Sequence, residues 1–178
     1  MRNRALIFSK AKKIKLIASD VDGVLTHSEI IVLDSGAEVK IWNVKDGFGY
    51  DLLRKTFPEI KTAWITGRKS KQVERRAKEL KIDFLFQGVK DKLSVLLDLL
   101  KKTECEISEV SYIGDDLPDL PVLEKVGFSI CPKDAVECVK RKVDMISDFE
   151  GGRGVVREVI DIIIESKTAV KKSFGKMK

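Results

Sequence analysis

Residues Lys15 to Thr26 read Lys-Leu-Ile-Ala-Ser-Asp-Val-Asp-Gly-Val-Leu-Thr, and no other stretch constrains the chain as much. An apolar run this short, closed by turn residues, reads as a buried strand. Side chains of a strand alternate between two faces, so Asp20 and Asp22 share a face if the backbone stays extended. Gly23 then frees the backbone to turn sharply. Two carboxylates at the end of a buried strand repel each other unless a cation or a proton offsets the charge. That repulsion points to a metal site. A loop of solvated acids after a strand uses the same residues, and this stretch alone leaves both readings open.

Further short apolar runs follow at Thr62 to Ile65, Ile82 to Phe86, Val110 to Ile113 and Phe128 to Cys131, with a weaker one at Asp144 to Ile146. Between them lie helical patterns: Phe48, Leu52 and Leu53 before Pro58; Ser70 to Leu80; Asp91 to Lys102, with Leu93, Leu96, Leu97 and Leu100 on one face; Pro118 to Lys125; and Asp134 to Lys142. A short helix is expected over Arg2 to Lys13, and a Gly-rich loop precedes a final amphipathic helix to Glu165. Strands alternating with helices make an α/β domain with a mainly parallel sheet and helices on both faces. Ser28 to Leu33 and Glu38 to Trp42 flank Asp34-Ser35-Gly36, the pattern of a β-hairpin. Inserted directly after the first strand, it projects over that strand's carboxyl end. Its Ile30, Ile31, Val32, Val39, Ile41 and Trp42 are more apolar than an isolated hairpin needs, which suggests a partner surface.

At 178 residues the chain fits one domain, with a body over about 15–166. The net charge of +6 is concentrated at the ends, where residues 1–15 and 167–178 carry eleven basic side chains and no acid, leaving residues 16–166 at −5. An acidic body without a base-stacking aromatic cluster argues against nucleic acid. The basic tails, 1–14 and 167–178, are expected to be solvated and partly disordered. No run is long enough to cross a membrane, and the start lacks an apolar signal core. Cys105, Cys131 and Cys138 are scattered, without zinc-ligand spacing, and suit a reducing cytoplasm. With His27 as its one histidine, the chain cannot build a multi-His metal site.

Parallel sheets bind ligands outside the carboxyl ends of their strands. Asp20 and Asp22 end one strand, Thr66 another, and Asp115 and Asp116 a third, while Lys92 opens a helix. All therefore land on one rim. Carboxylate oxygens suit Mg²⁺. A lysine and a hydroxyl beside a metal suit a phosphate, and a carboxylate can attack phosphorus. The parts and their placement are those of a phosphoryl-transfer site.

The order Asp-x-Asp-Gly, then Thr, then Lys, then Gly-Asp-Asp-x-x-Asp resembles the haloacid dehalogenase superfamily of phosphatases over Lys15 to Glu165. More narrowly, the chain is similar to the 3-deoxy-D-manno-octulosonate 8-phosphate (KDO 8-phosphate) phosphatases. The shared segments are Asp20 to Thr26, Asn43-Val-Lys-Asp-Gly47, Ile65-Thr-Gly-Arg-Lys69, Gln87-Gly88 with Lys92, Gly114 to Asp119, and Gly151-Gly-Arg-Gly154. The resemblance implies a Rossmann-like three-layer α/β/α fold with no cap domain. It implies that Asp20 forms an aspartyl-phosphate and that Asp22 is the general acid and base. Mg²⁺ falls to the Asp20 side chain, the Asp22 carbonyl and Asp115, with Asp116 and Asp119 supporting the metal's waters or nearby loops. Thr66 and Lys92 bind the phosphoryl group. Asn43, Val44, Lys45, Asp46, Gly47, Arg68 and Arg76 fall where the family contacts substrate.

By the same resemblance the protein is a homotetramer in which hairpins pack together and Gly151, Gly152, Arg153 and Gly154 reach a neighbouring subunit. Its substrate is a small sugar-acid phosphate and its pathway lipopolysaccharide biosynthesis. Arg68 favours the octulosonate substrate, and Asp51 stands where the family carries a substrate-contacting arginine. A nononate 9-phosphate phosphatase is the alternative within the superfamily. A non-catalytic relative, or a phosphorylation-dependent receiver domain, would use similar residues. In a receiver, however, the phosphorylated Asp ends the third strand and no Asp-x-Asp-Gly follows the first.

Overall fold

The computed structural model describes residues 4–175, with side chains to residue 169. Its main sheet has six parallel strands in the order β5-β4-β1-β6-β7-β8. These are β1 (Leu16–Ser19), β4 (Lys61–Thr66), β5 (Phe84–Gln87), β6 (Val110–Ile113), β7 (Phe128–Cys131) and β8 (Met145–Ile146). The intervening hairpin is β2 (Ile31–Val32) with β3 (Glu38–Val39), an antiparallel pair separate from the sheet. The chain moves from β1 outward through β4 and β5, then returns to the other side of β1 with β6. That reversal opens a crevice at the carboxyl end of β1, where such sheets bind ligands.

Alternation along β1 sorts the two cores. Ile17 belongs to one, with Trp64, Ile113, Phe128 and Ile130; Leu16 and Ala18 belong to the other, with Ala63, Ile65 and Tyr112. The first face is covered by α1 (Arg4–Ala11), α2 (Val44–Thr56), α3 (Lys71–Glu79) and α7 (Val155–Gly175). The second is covered by α4 (Lys92–Thr103), α5 (Leu120–Leu123) and α6 (Glu137–Lys140). In α7, Val155, Val156, Val159, Ile160 and Ile163 are all 0% exposed. At about 1.5–3 kcal/mol for each such side chain, their burial anchors α7, and with it the Gly-rich turn before it.

Two helix faces differ from the sequence reading. In α4 the buried leucines are Leu96, Leu99 and Leu100, while Leu97 is 42% exposed. A spacing of three and four residues tracks the helix pitch, and Leu97 falls beside that stripe. In α2, Phe48 is 51% exposed and the buried line runs through Gly49, Tyr50 and Leu53. Tyr50 is seated there because its hydroxyl accepts the Trp64 indole N–H at 2.9 Å.

Helix α7 continues ten residues past the expected end at Glu165. Its side lies against α1, joined by Arg4 to Glu165 at 3.2 Å and by Lys167 Nζ donating to the Lys12 carbonyl at 2.9 Å. The amino end is helical over Arg4–Ala11, within the helix expected at Arg2 to Lys13, and the carboxyl end is helical to Gly175. Arg2, Lys176 and Lys178 lie outside the described residues.

Candidate active site

Asp20 prolongs the β1 ladder, its N–H donating to the Ile113 carbonyl at 2.9 Å. Parity places it on the α4 side of the sheet, with Leu16 and Ala18. The backbone does not stay extended beyond it. The N–H groups of Val24, Leu25 and Thr26 converge on the Val21 carbonyl at 3.3, 2.9 and 3.2 Å, a tight turn with Gly23 at φ +90°. A Cβ at Gly23 would stand 2.0 Å from the Asp115 carboxylate, so both the backbone angle and the space require glycine. The turn sends Asp22 towards the hairpin instead of leaving it beside Asp20.

Lys92 is the first residue of α4. A cation at a helix amino end is unfavourable against the helix dipole unless it has an anionic partner. Lys92 has two: its Nζ lies 2.9 Å from Asp20 Oδ2 and 2.7 Å from Asp119 Oδ1, with the side chain only 4% exposed. Asp119 is fully buried; its Oδ1 also accepts the Tyr112 hydroxyl at 2.6 Å and its Oδ2 the Asp115 N–H at 3.2 Å. Carboxylate oxygens of Asp20, Asp115 and Asp119 lie within 4.8 Å of one another.

Burial, reinforced by Asp20 and Asp119, pushes the Asp115 carboxyl up to about 8. Burial, with Asp119 adding and Lys92 opposing, pushes Asp20 up to about 6. Burial works to lower the Lys92 pKa, but Asp20 and Asp119 outweigh it and hold the amine above its ordinary value. Three crowded carboxylates facing one ammonium leave an excess of negative charge. A hard divalent cation fits this donor set, and Asp20, Asp115 and Asp119 are the residues placed to hold or support it.

Asp22 occupies a different setting. Lys40, from the strand leaving the hairpin, ion-pairs with its Oδ1, and Arg68 Nε lies 3.9 Å from its Oδ2. Arg68 in turn pairs with Glu38, and Gln72 Nε2 donates to the Glu38 carbonyl at 2.7 Å. Thr66 ends β4, beside β1, with its hydroxyl buried and accepting the Arg68 N–H at 3.3 Å. Asp20, Asp22, Thr66, Arg68, Lys92, Asp115 and Asp119 thus gather at the strand ends.

The other expected site residues have different surroundings. Asp116 is exposed and caps the next turn, accepting the Leu117 N–H at 2.7 Å. Asn43 caps α2 through the Lys45 N–H at 2.8 Å and donates to the Gly152 carbonyl at 3.2 Å. Asp46 is buried under the amino end of α7 and accepts the Arg157 N–H at 2.8 Å. Gly47 lies beneath the Arg76 side chain, and Arg76 pairs with Glu79 at 2.9 Å. Val44 and Arg76 line a separate cavity of about 340 Å³ with Trp42 and Gln72. Asp51 pairs with Arg54 on its own helix.

Within the chain, the Gly-rich turn lies against the turn after Asp22: Gly152 N–H donates to the Val24 carbonyl at 2.9 Å, while Gly151 N–H donates to Asp134 at 2.9 Å. Lys45, Arg153 and Gly154 line a groove of about 900 Å³, which shares no residue with the carboxylate cluster. Charge, and not volume, marks the site.

Sequence reasoning passed over Glu38, Lys40 and Tyr112. The first two carried a signal. Polar Glu38 and Lys40 alternate with apolar Val39 and Ile41, so one edge of the hairpin strand is polar where it meets the rim. Tyr112 carried none, since a tyrosine in a buried strand reads as core.

A family profile described as haloacid dehalogenase-like hydrolase matches residues 82–159. The 3-deoxy-D-manno-octulosonate 8-phosphate phosphatase of Escherichia coli is 40% identical over 169 residues, covering 95% of this chain and 89% of that protein. The crystal structure of the enzyme of that name from Moraxella catarrhalis, in complex with magnesium ion, phosphate ion and KDO, superposes with a TM-score of 0.88 at 42% identity, covering 97% of this chain and 98% of that one. The cobalt-bound phosphatase from Haemophilus influenzae gives 0.84 at 34% identity, covering 89% and 92%. With 40% identity across nearly the full length of both chains, this protein belongs to the 3-deoxy-D-manno-octulosonate 8-phosphate phosphatase family of haloacid dehalogenase-like hydrolases.

Proposed function

We propose that this protein hydrolyses KDO 8-phosphate to KDO and inorganic phosphate, with Mg²⁺, through an aspartyl-phosphate on Asp20. The observation that carries the reading is the Asp20–Lys92–Asp119 bridge beside Asp115, at the sheet reversal of a chain 40% identical to enzymes of that activity. An Asp20 carboxyl at about 6 is ionised at neutral pH and can attack phosphorus. The new Asp20–phosphorus bond forms as the bond to the sugar oxygen breaks, and that oxygen takes a proton from Asp22. Asp22, now a carboxylate, then takes a proton from water as the water's oxygen attacks phosphorus. The aspartyl–phosphorus bond breaks, releasing phosphate and restoring Asp20.

Lys92 and the Thr66 hydroxyl supply donors for the phosphoryl oxygens. A bound Mg²⁺ would screen the phosphate's charge from the carboxylates, held by Asp20, the Asp22 carbonyl and Asp115 with Asp119 in support. Arg68, paired with Glu38 at the Asp22 side of the rim, would meet the sugar carboxylate.

The reading extends to a cytoplasmic homotetramer serving lipopolysaccharide synthesis. Supporting it are the exposed apolar hairpin and the lack of any described helix long and apolar enough to cross a membrane.

The test is phosphate release, with Mg²⁺ and with EDTA, from KDO 8-phosphate, a nononate 9-phosphate and hexose phosphates. Preference for KDO 8-phosphate, abolished by EDTA, is expected. Asp20→Asn should lower turnover by about 10⁴-fold or more with the fold intact, the scale for loss of a nucleophile. An active Asp20→Asn protein would exclude the covalent route, and preference for another acid sugar would relocate the substrate while keeping the chemistry.

A further inference from the structure

Asp22 is gripped from the hairpin by one side chain. Lys40 follows β3, its side chain is only 8% exposed, and its Nζ meets Asp22 Oδ1. The same Oδ1 lies 3.5 Å from the Thr26 hydroxyl, and Asp22 Oδ2 is buried without a hydrogen-bond partner. An ammonium this enclosed is not held by water, so its position is set by its contact with Asp22. Around Lys40 the strand is pinned by Glu38 to Arg68 and by Gln72 to the Glu38 carbonyl. Val39 and Ile41 point the other way and are 37% and 65% exposed. Period-two alternation therefore delivers Lys40 to the acid-base carboxylate and keeps it there.

We infer that Lys40 is a positioning residue for Asp22, resting on the phosphatase reading above. It fixes the orientation of the Asp22 carboxyl group towards the departing sugar oxygen. It neither bonds to phosphorus nor transfers a proton itself. The hairpin is thereby part of the acid-base machinery as well as a surface element.

The experiment compares kcat/KM of the Mg²⁺-loaded wild type, Lys40→Met and Lys40→Arg on three phosphates. KDO 8-phosphate has an alkoxide leaving group and a carboxylate. Glycerol 3-phosphate has an alkoxide leaving group and no carboxylate. p-Nitrophenyl phosphate has a leaving group that departs without a proton. Because kcat/KM covers only steps up to alcohol departure, the later hydrolysis of the aspartyl-phosphate does not enter it.

Lys40→Met should lose about 10²-fold or more on both alkyl phosphates, the scale of general-acid catalysis, and less than about threefold on the aryl phosphate. Lys40→Arg should recover most of the loss, and circular dichroism should show both variants folded. A loss confined to KDO 8-phosphate would make Lys40 a substrate contact and overturn the inference. Equal losses on all three phosphates, or no loss, would also overturn it. A wild type inactive on every phosphate would overturn the phosphatase reading and this inference with it.

Discussion

Asp46 shows how one side chain can serve the fold at a cost. It lies in the segment Asn43 to Gly47, which the resemblance assigns to substrate, yet its carboxylate faces the backbone N–H groups of Gly154, Val156 and Arg157 at the start of α7. Burial pushes its carboxyl from 3.8 up to about 6, the backbone donors opposing only in part. A folded value above the unfolded one means that the folded state holds this proton longer. The associated stability is full below about pH 3.8 and is lost as pH rises through 6. The difference corresponds to about 3 kcal/mol at neutral pH. Asp46→Asn should therefore gain on the wild type by about that amount between pH 4 and pH 7, whatever their offset. Urea unfolding at a series of pH values measures it, and two parallel pH profiles would sink the account. The sequence marks Asp46 as a polar residue near a helix start but cannot say which helix it caps, because its partner lies more than a hundred residues away.

Among the elements, the Gly-rich turn and the catalytic turn act as a pair. A Cβ at Gly151 would stand 2.0 Å from the Gly23 carbonyl oxygen, a backbone atom that cannot yield without moving the turn that follows Asp22. Gly151→Ala should lower kcat by roughly 10²-fold, as a displacement of about 1 Å does in a preorganised site. It should also destabilise the fold by about 1–3 kcal/mol, as overpacking does. Steady-state kinetics beside thermal unfolding checks both, and an unchanged kcat would show that the loop absorbs the contact. The strands and most helices were legible because short apolar runs and turn residues recur in strict alternation. The finer faces were not. Leu97 and Phe48 are apolar by composition, and only the neighbouring layers decide that Leu99 and Gly49 are the buried positions instead.

For the assembled chain, the hairpin sets the expectation. Ile31, Val32 and Ile41 are 40%, 60% and 65% exposed, beside Val44 at 79% and Phe48 at 51%. Exposed apolar side chains of this number favour association. If the tetramer forms through it, Ile31→Glu with Ile41→Glu should shift sedimentation to smaller species. A double variant that sediments like the wild type would place the contact elsewhere.

Sequence alone was enough for the alternating α/β order, the carboxylates at strand ends and the lysine opening α4, because each depends on local pattern and on the rule that parallel strands point their ends the same way. Tertiary structure decided the rest. It parted Asp20 from Asp22 by a turn, seated Lys92 between Asp20 and Asp119, brought Lys40 to Asp22, and set the Gly-rich turn beneath the catalytic loop. Those contacts join segments far apart in the chain. Their geometry follows from which layers pack together, a property of the folded core that no short window of residues contains.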